Sequence, residues 1–370
     1  MDSDKQLAYQ KNILSKGITI EYLLSEYNKE KDLYVDVKKE IEINPESSAL
    51  VLIDVWEDSF LDSITIKNIN PIVEELSDLG MKIVYAPSHL PQNKNLNILE
   101  EGVFFYNQDM IDQFVLKNKI ENLFYVGADN FYCLLDKPNG IYSFLSRNEG
   151  VKAFVVDRGS FSFTKEMKAV AAELLKKNGV GYVHSYEQGP ELVFPRKTVT
   201  GLTAKTEDKI NKGSNIIVMF KNGKEQTAIE NFENSLDKSK VFYAVVEKDK
   251  MFIDEKEVSP SGFIKLIHDN KIRNIYYGGY YLNNEILWSD FGLIALYIKM
   301  RYAKVNAWLQ LNVINDLTFI TPCENLDPNL EKATIINHFR ILDNVMSTTL
   351  LNGIEKISNP DSQEISSATN

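Results

Sequence analysis

The chain has 370 residues, 44% of them hydrophobic, and its 41 basic and 52 acidic side chains give a formal charge of -11. That length accommodates two ordinary domains, each with its own core. The acidic balance excludes sequence-independent nucleic-acid binding and adhesion to anionic membranes, both of which need basic surfaces.

Two cysteines, Cys133 and Cys323, make no disulfide framework. The opening MDSDKQLAYQKN has no apolar signal region, and no apolar run is long enough to span a bilayer, so a soluble, cytoplasmic protein is expected. Residues 1–48 are highly charged and read as an N-terminal arm, with a short helix over TIEYLLSE, Thr19–Glu26. ALVLIDV, Ala49–Val55, is nearly all apolar and suits a parallel strand buried on both faces. A glycine-stopped helix over Ile64–Gly80 leads to strand Lys82–Ala86, which Pro87 ends. A helix over Asp109–Lys117, a strand over Leu123–Val126 and a helix over Ile141–Arg147 come next. Strand Ala153–Val156, helix Thr164–Asn178 and strand Val180–His184 complete the first half. Alternating strands and helices predict an α/β fold with a mostly parallel sheet.

The same pattern recurs. Ile120 falls on Ile272, an offset of 152, and Asn122, Tyr125, Gly127 and Gly140 then fall on Asn274, Tyr277, Gly279 and Gly292. NIIVMF (Asn215–Phe220) answers the first strand, Gln226–Leu236 the first helix, KVFYAV (Lys240–Val245) the second strand, and Ser261–Asp269 the next helix. Asn274–Tyr277, Gly292–Met300 and a strand over Val305–Leu309 or the run to Ile314 follow. A repeat of this length implies two whole domains. The expected division is an arm at 1–48, a domain at 49–200, a divergent second domain at 214–328, and a helical segment with a disordered tail at 329–370. Residues 185–213 link the halves, and Leu330–Leu351 reads as one or two final helices.

Parallel sheets hold ligands at the carboxyl ends of their strands. Asp54 ends the first strand, His89 follows the second, and Cys133 opens the helix after the Gly127 strand. A thiol at a helix start gains thiolate character, and nearby N–H groups can hold an oxyanion. Asp54 could move the thiol proton to a leaving amine. Each residue also has a plainer reading: a packed cysteine, a capping aspartate, a loop histidine. The DVWED run is a solvated turn more often than a cation site. None of the four histidines forms a paired ligand motif, and no CxxC, P-loop or complete dinucleotide fingerprint occurs. No metal and no cofactor are expected.

ALVLIDVWED, VGADNFYCLL and DKPNGIYSFLSRNEGVKAFVVDRGSF together resemble the isochorismatase-like cysteine hydrolases, over about residues 49–185, with a weaker copy over about 214–328. The resemblance implies two isochorismatase-like, Rossmann-like three-layer α/β/α domains, oligomers, and an Asp–Lys–Cys triad. Cys133 would be the nucleophile and Asp54 the acid–base. Asp129, Asn130 and Tyr132 would supply the backbone around the oxyanion, with a cis bond at Ala128–Asp129. Trp56, His89 and Arg158 would line the substrate pocket. The stretch matching the family's lysine region reads EEGVFFYNQDM and contains none, which leaves Lys94 as the nearest candidate. In the second copy Lys221 stands near the first strand end and Glu285 replaces the nucleophile, so that copy is expected to be inactive. The leading expectation is a hydrolase of a small amide or related C–N bond. A silent binding or structural protein is its alternative, and thiol or metal chemistry through His89 ranks last. Expected partners are a small-molecule substrate or ligand, the second domain as an internal pseudo-dimer mate, and further copies of the chain.

Overall fold

The computed structural model describes residues 18–87, 91–106, 108–130, 133–137, 139–145, 150–162, 165–183, 214–221, 227–296, 309–341 and 346–349. The chain divides into two compact units, residues 1–197 and 198–370. The expected linker at 185–213 and the tail after 356 lie outside the described residues.

The first unit begins with β1 (Ile18–Asn28) and β2 (Leu33–Ile43), followed by β3 (Ser48–Ile53). Helix α1 (Ser59–Ile64) runs through a π-helical turn (Thr65–Ile69) into α2 (Asn70–Asp78). Then come β4 (Lys82–Ala86), β5 (Val103–Phe104), α3 (Gln108–Asn118), β6 (Asn122–Ala128), α4 (Cys133–Asp136) and α5 (Ile141–Leu145). β7 (Lys152–Phe161), α6 (Lys165–Lys177) and β8 (Gly181–Val183) close it. The strands form one sheet in the order β2-β1-β8-β7-β6-β3-β4-β5, parallel from β8 to β5. Every residue of β3 and β6 is buried, because both faces of these central strands are covered. On one face, Leu50, Leu52, Phe124 and Val126 share a core with Ile72 and Val73 of α2.

The expected arm and its short helix are instead a long antiparallel hairpin, whose β1 adds to β8 at Leu23 and Tyr182. The apolar residues Ile18, Ile20 and Tyr22 recur every second position and all pack on the core, which is a strand period. Tyr22 sets its ring edge-on to Phe154 at 5.2 Å. A buried charge cluster ties the hairpin to α6: Lys176 pairs with Asp36 and Glu173, and the Ser25 hydroxyl donates to Glu173 at 2.9 Å.

The second unit contains β9 (Asn215–Lys221), α7 (Thr227–Ser235), β10 (Phe242–Glu247), β11 (Lys250–Ile253), β12 (Lys256–Val258) and α8 (Pro260–Asp269). It continues with β13 (Asn274–Gly279), α9 (Glu285–Trp288), β14 (Gln310–Thr318), α10 (Pro328–Ile341) and β15 (Met346–Thr349). Its sheet order is β12-β11-β10-β9-β13-β14-β15. The parallel series β15-β14-β13-β9-β10 repeats β8-β7-β6-β3-β4 of the first unit. β14 falls on the expected run to Ile314, of the two alternatives the sequence offered. Two differences from expectation stand out: the final segment ends in a strand beside β14 instead of a helix, and β11 and β12 extend the edge. Among the described residues, no helix is long and apolar enough to cross a membrane.

The shared sheet geometry reaches the atoms of two glycines. Gly127 pairs with Ile53 and Gly279 with Phe220. Both have positive φ, and a Cβ would sit 1.9 Å from the Ile53 carbonyl oxygen in one case and 2.0 Å from that of Phe220 in the other. Only glycine lets the strands approach this closely. Gly127→Ala should therefore lower stability by about 3 kcal/mol or more, since backbone must move. Gly179→Ala, with positive φ but open space around it, should cost about 1 kcal/mol. Denaturant titration followed by circular dichroism checks the ranking, and equal losses would contradict it.

Candidate active site

The carboxyl ends of β3 and β6 bring three chemically reactive side chains together. Asp54 follows the last residue of β3 and adopts φ +47°, a left-handed conformation that aspartate tolerates better than most residues. Its N–H donates to the Ala86 carbonyl at 3.3 Å, which holds the turn against the end of β4. The side chain is 3% exposed. Cys133 opens α4, just beyond the end of β6, and is partly buried.

The third group is Lys137. Its Nζ lies 3.7 Å from Asp54 Oδ2, and its side chain is only 22% exposed. Lys137 follows Cys133 by four residues, so one turn brings both a thiol and an ammonium group to the same carboxylate. Gly140 holds this turn in place: its N–H donates to the Lys137 carbonyl at 2.7 Å, and a Cβ there would lie 2.8 Å from the Cys133 carbonyl oxygen.

The electrostatics favour a protonated thiol at rest. Burial pushes the Cys133 thiol well above its ordinary range, and both the charge of Asp54 and a hydrogen bond to its carboxylate add to that. The Lys137 charge and the Asp129 backbone N–H act in the opposite direction. The thiol therefore carries a proton that the adjacent carboxylate is placed to receive.

The remaining expected residues are placed as follows. Lys94 lies on the surface, 69% exposed, 3.7 Å from Glu57; it is Lys137 that stands beside Asp54. Asp129 is buried and its N–H interacts with the thiol. Asn130 is buried too, but its N–H is spent on the Phe161 carbonyl at 2.9 Å, and its amide reaches Ser160 and Tyr182. Its backbone donor is thus committed to the β6–β7 junction. Trp56 packs edge-on to Phe161 at 6.3 Å and forms a bridge with Gln92. The Arg158 guanidinium is taken by Glu75 of α2. His89 and Tyr132 lie outside the described residues. The cis bond expected at Ala128–Asp129 occurs instead at its counterpart in the second unit, Tyr280–Tyr281. Among the described residues, no group of three His, Cys, Asp or Glu side chains could hold a metal ion.

The corresponding place in the second unit has other chemistry. Leu134 and Ile286 make equivalent hydrogen bonds to Asp129 and Tyr281, both at 3.1 Å, and Gly292 donates to Ser289 as Gly140 does to Lys137. At these equivalent positions Lys221 replaces Asp54, Glu285 replaces Cys133 and Ser289 replaces Lys137.

Lys137 escaped the sequence reading because the lysine was sought well upstream of the cysteine. The available signal was the CLLDK spacing, which puts Lys137 one turn beyond Cys133.

No protein-family model matches the chain, and no curated protein matches it. Among solved structures, the zinc complex of a pyrazinamidase from Pyrococcus horikoshii aligns at 14% identity, covering 38% of this chain and 99% of its own, with a TM-score of 0.31. An isochorismatase family protein aligns at 10% identity over 38% of this chain and 99% of its own, with a TM-score of 0.32. A pyrazinamidase/nicotinamidase from Streptococcus mutans UA159 aligns at 16% identity over 37% of this chain and 99% of its own, with a TM-score of 0.29. Alignments at these scores carry no functional argument, so the chemistry rests on the residues of the site.

A thiol held protonated by a neighbouring carboxylate has a definite signature. Asp54→Asn removes the charge and the acceptor that favour the protonated form, leaving Lys137 to favour the thiolate. The thiol pKa should fall, and alkylation of Cys133 by iodoacetamide at pH 8 should accelerate by about tenfold or more. Lys137→Met should slow it. Intact-mass kinetics in a Cys323→Ser background would read both. A slower reaction in Asp54→Asn would refute this electrostatic assignment.

Proposed function

We propose that the first unit is a cysteine hydrolase that cleaves the C–N bond of a small amide through an acyl-enzyme. The observation carrying this reading is the convergence of Asp54, Cys133 and Lys137 at one buried strand end. It supplies a nucleophile, a proton carrier and a fixed cation in a single cluster.

In the proposed reaction Cys133 Sγ attacks the amide carbonyl while Asp54 removes the thiol proton. The new C–S bond converts the carbonyl to a tetrahedral oxyanion. In this reading the backbone around Cys133 supplies the donor for this charge; the Asn130 and Leu134 N–H groups are already given to the Phe161 and Asp129 carbonyls. Collapse breaks the C–N bond, and Asp54 returns the proton to the departing nitrogen. Water then attacks the thioester while Asp54 takes its proton; the C–S bond breaks, the acid leaves, and Asp54 returns that proton to the departing sulfur to restore the thiol. Lys137 keeps positive charge against Asp54 and offsets the thiolate as it forms. It takes the role that the family resemblance assigns to a lysine elsewhere in the chain.

The second unit, read as a copy of the first, lacks this chemistry. A carboxylate at the nucleophile position and a lysine at the acid position cannot form the same acyl-enzyme. A silent binding protein is the competing reading for the whole chain, favoured by the strongly protonated Cys133 thiol.

Ammonia release from a panel of small primary amides and N-carbamoyl compounds separates the two. Turnover is expected to vanish in Cys133→Ala and to fall about 100-fold or more in Lys137→Met, while Lys94→Met retains it. Turnover that persists in Cys133→Ala would eliminate the acyl-enzyme. Equal activity in Lys137→Met and wild type would remove the lysine from the mechanism.

A further inference from the structure

The second unit has a cavity of about 210 Å³ where the first unit has its candidate site. Lys221 follows Phe220, the register partner of Gly279, as Asp54 follows Ile53, the partner of Gly127. Lys221, Tyr280 and Glu285 all line the cavity, together with Glu247, Lys248 and Asp249 from the end of β10 and the turn beyond it. The second unit thus has an opening at the strand end where the first places Asp54 and Cys133.

The lining favours positive charge. Lys221 is drawn to Glu233, 2.6 Å away, and Glu233 also accepts from the Tyr243 hydroxyl. The Lys221 charge is thus balanced by a residue that is not part of the lining. The other charged residues of the lining are Glu247, Asp249 and Glu285, three carboxylates, and the single cation Lys248. Glu285 Oε2 accepts the Tyr281 N–H at 3.1 Å. Burial is the first cause raising the Glu285 carboxyl above its ordinary range, and nearby Asp249 adds to it. A cation between the two carboxylates would relieve both penalties.

Geometry narrows the type of cation. Among the described residues, these carboxylates do not converge as the ligands of a metal ion must. The cavity they line is large enough for several heavy atoms. Tyr280 adds an aromatic wall, held in place by stacking on Phe319 at a centroid distance of 5.0 Å. An organic cation with distributed donors fits carboxylates and an aromatic face together.

We propose that this cavity binds a small organic cation, a primary ammonium or guanidinium compound, with Glu285 and Asp249 as its anionic partners and Tyr280 as its aromatic wall. The site is independent of the chemistry assigned to Cys133.

Calorimetric titration of the full chain tests it, using methylguanidinium chloride, the neutral isostere N-methylurea, and calcium chloride. Saturable binding of methylguanidinium without binding of N-methylurea is expected. Affinity should fall about tenfold or more in Glu285→Gln and in Asp249→Asn, and should be unchanged in Cys133→Ser. Asp249 has φ +61° in the exposed two-residue turn between β10 and β11, where asparagine is well accommodated. That variant therefore tests charge with the fold kept, as melting by circular dichroism will show. Absence of saturable methylguanidinium binding would overturn the proposal, as would undiminished binding in both carboxylate variants. Preference for calcium would overturn it in favour of a metal site, and loss of binding in Cys133→Ser would move the ligand to the first unit.

Discussion

The ion pair between Lys137 and Asp54 is the interaction on which the candidate site depends. A carboxylate as enclosed as that of Asp54 is costly to bury without a partner. Lys137 supplies the partner and ties the end of β3 to the turn that carries Cys133. The same pair sets the thiol's surroundings. Asp54 holds the proton on sulfur, while Lys137 and the Asp129 N–H favour its release. Structure and chemistry therefore share one contact, because the group that makes burial of the acid tolerable also stabilises the charge that catalysis would generate.

The two units show how much of such a site belongs to the scaffold. Gly127 and Gly279 permit the same close strand approach, and Gly140 and Gly292 the same tight packing of the following helix on the preceding turn. These positions preserve backbone geometry and leave the side chains beside them free to differ. One strand end presents an acid, a thiol and a lysine. The other has a lysine, a glutamate and a serine at the same positions, the lysine and the glutamate lining a cavity. A fold of this kind fixes where chemistry can happen and leaves open which chemistry it is.

Much of this was legible in the chain. The unbroken apolar runs of β3 and β9 announce central parallel strands, since such strands are buried on both sides. The glycines at an offset of 152 announce the shared turns, because each sits where a Cβ would strike backbone. Asp54 and Cys133 were legible as strand-end and helix-start residues. Residues 18–43 were harder to read. Their leucines and glutamates suit a helix locally, and pairing with β8 and packing of Ile18, Ile20 and Tyr22 on the core outweigh that preference. The last strand, β15, likewise depends on β14 as its neighbour.

The sequence by itself determined the alternation of strands and helices, the glycines that let strands meet, and two of the three groups at the candidate site. Each of these follows from local properties: side-chain period, backbone freedom, and position at an element's end. Only the tertiary structure decided that Lys137 meets Asp54, that Lys94 does not, that the Asn130 N–H is committed to Phe161, and that the second unit keeps a cavity lined by opposed charges. Those outcomes depend on where separate strand ends come to lie beside one another, and spacing along a chain does not contain that distance.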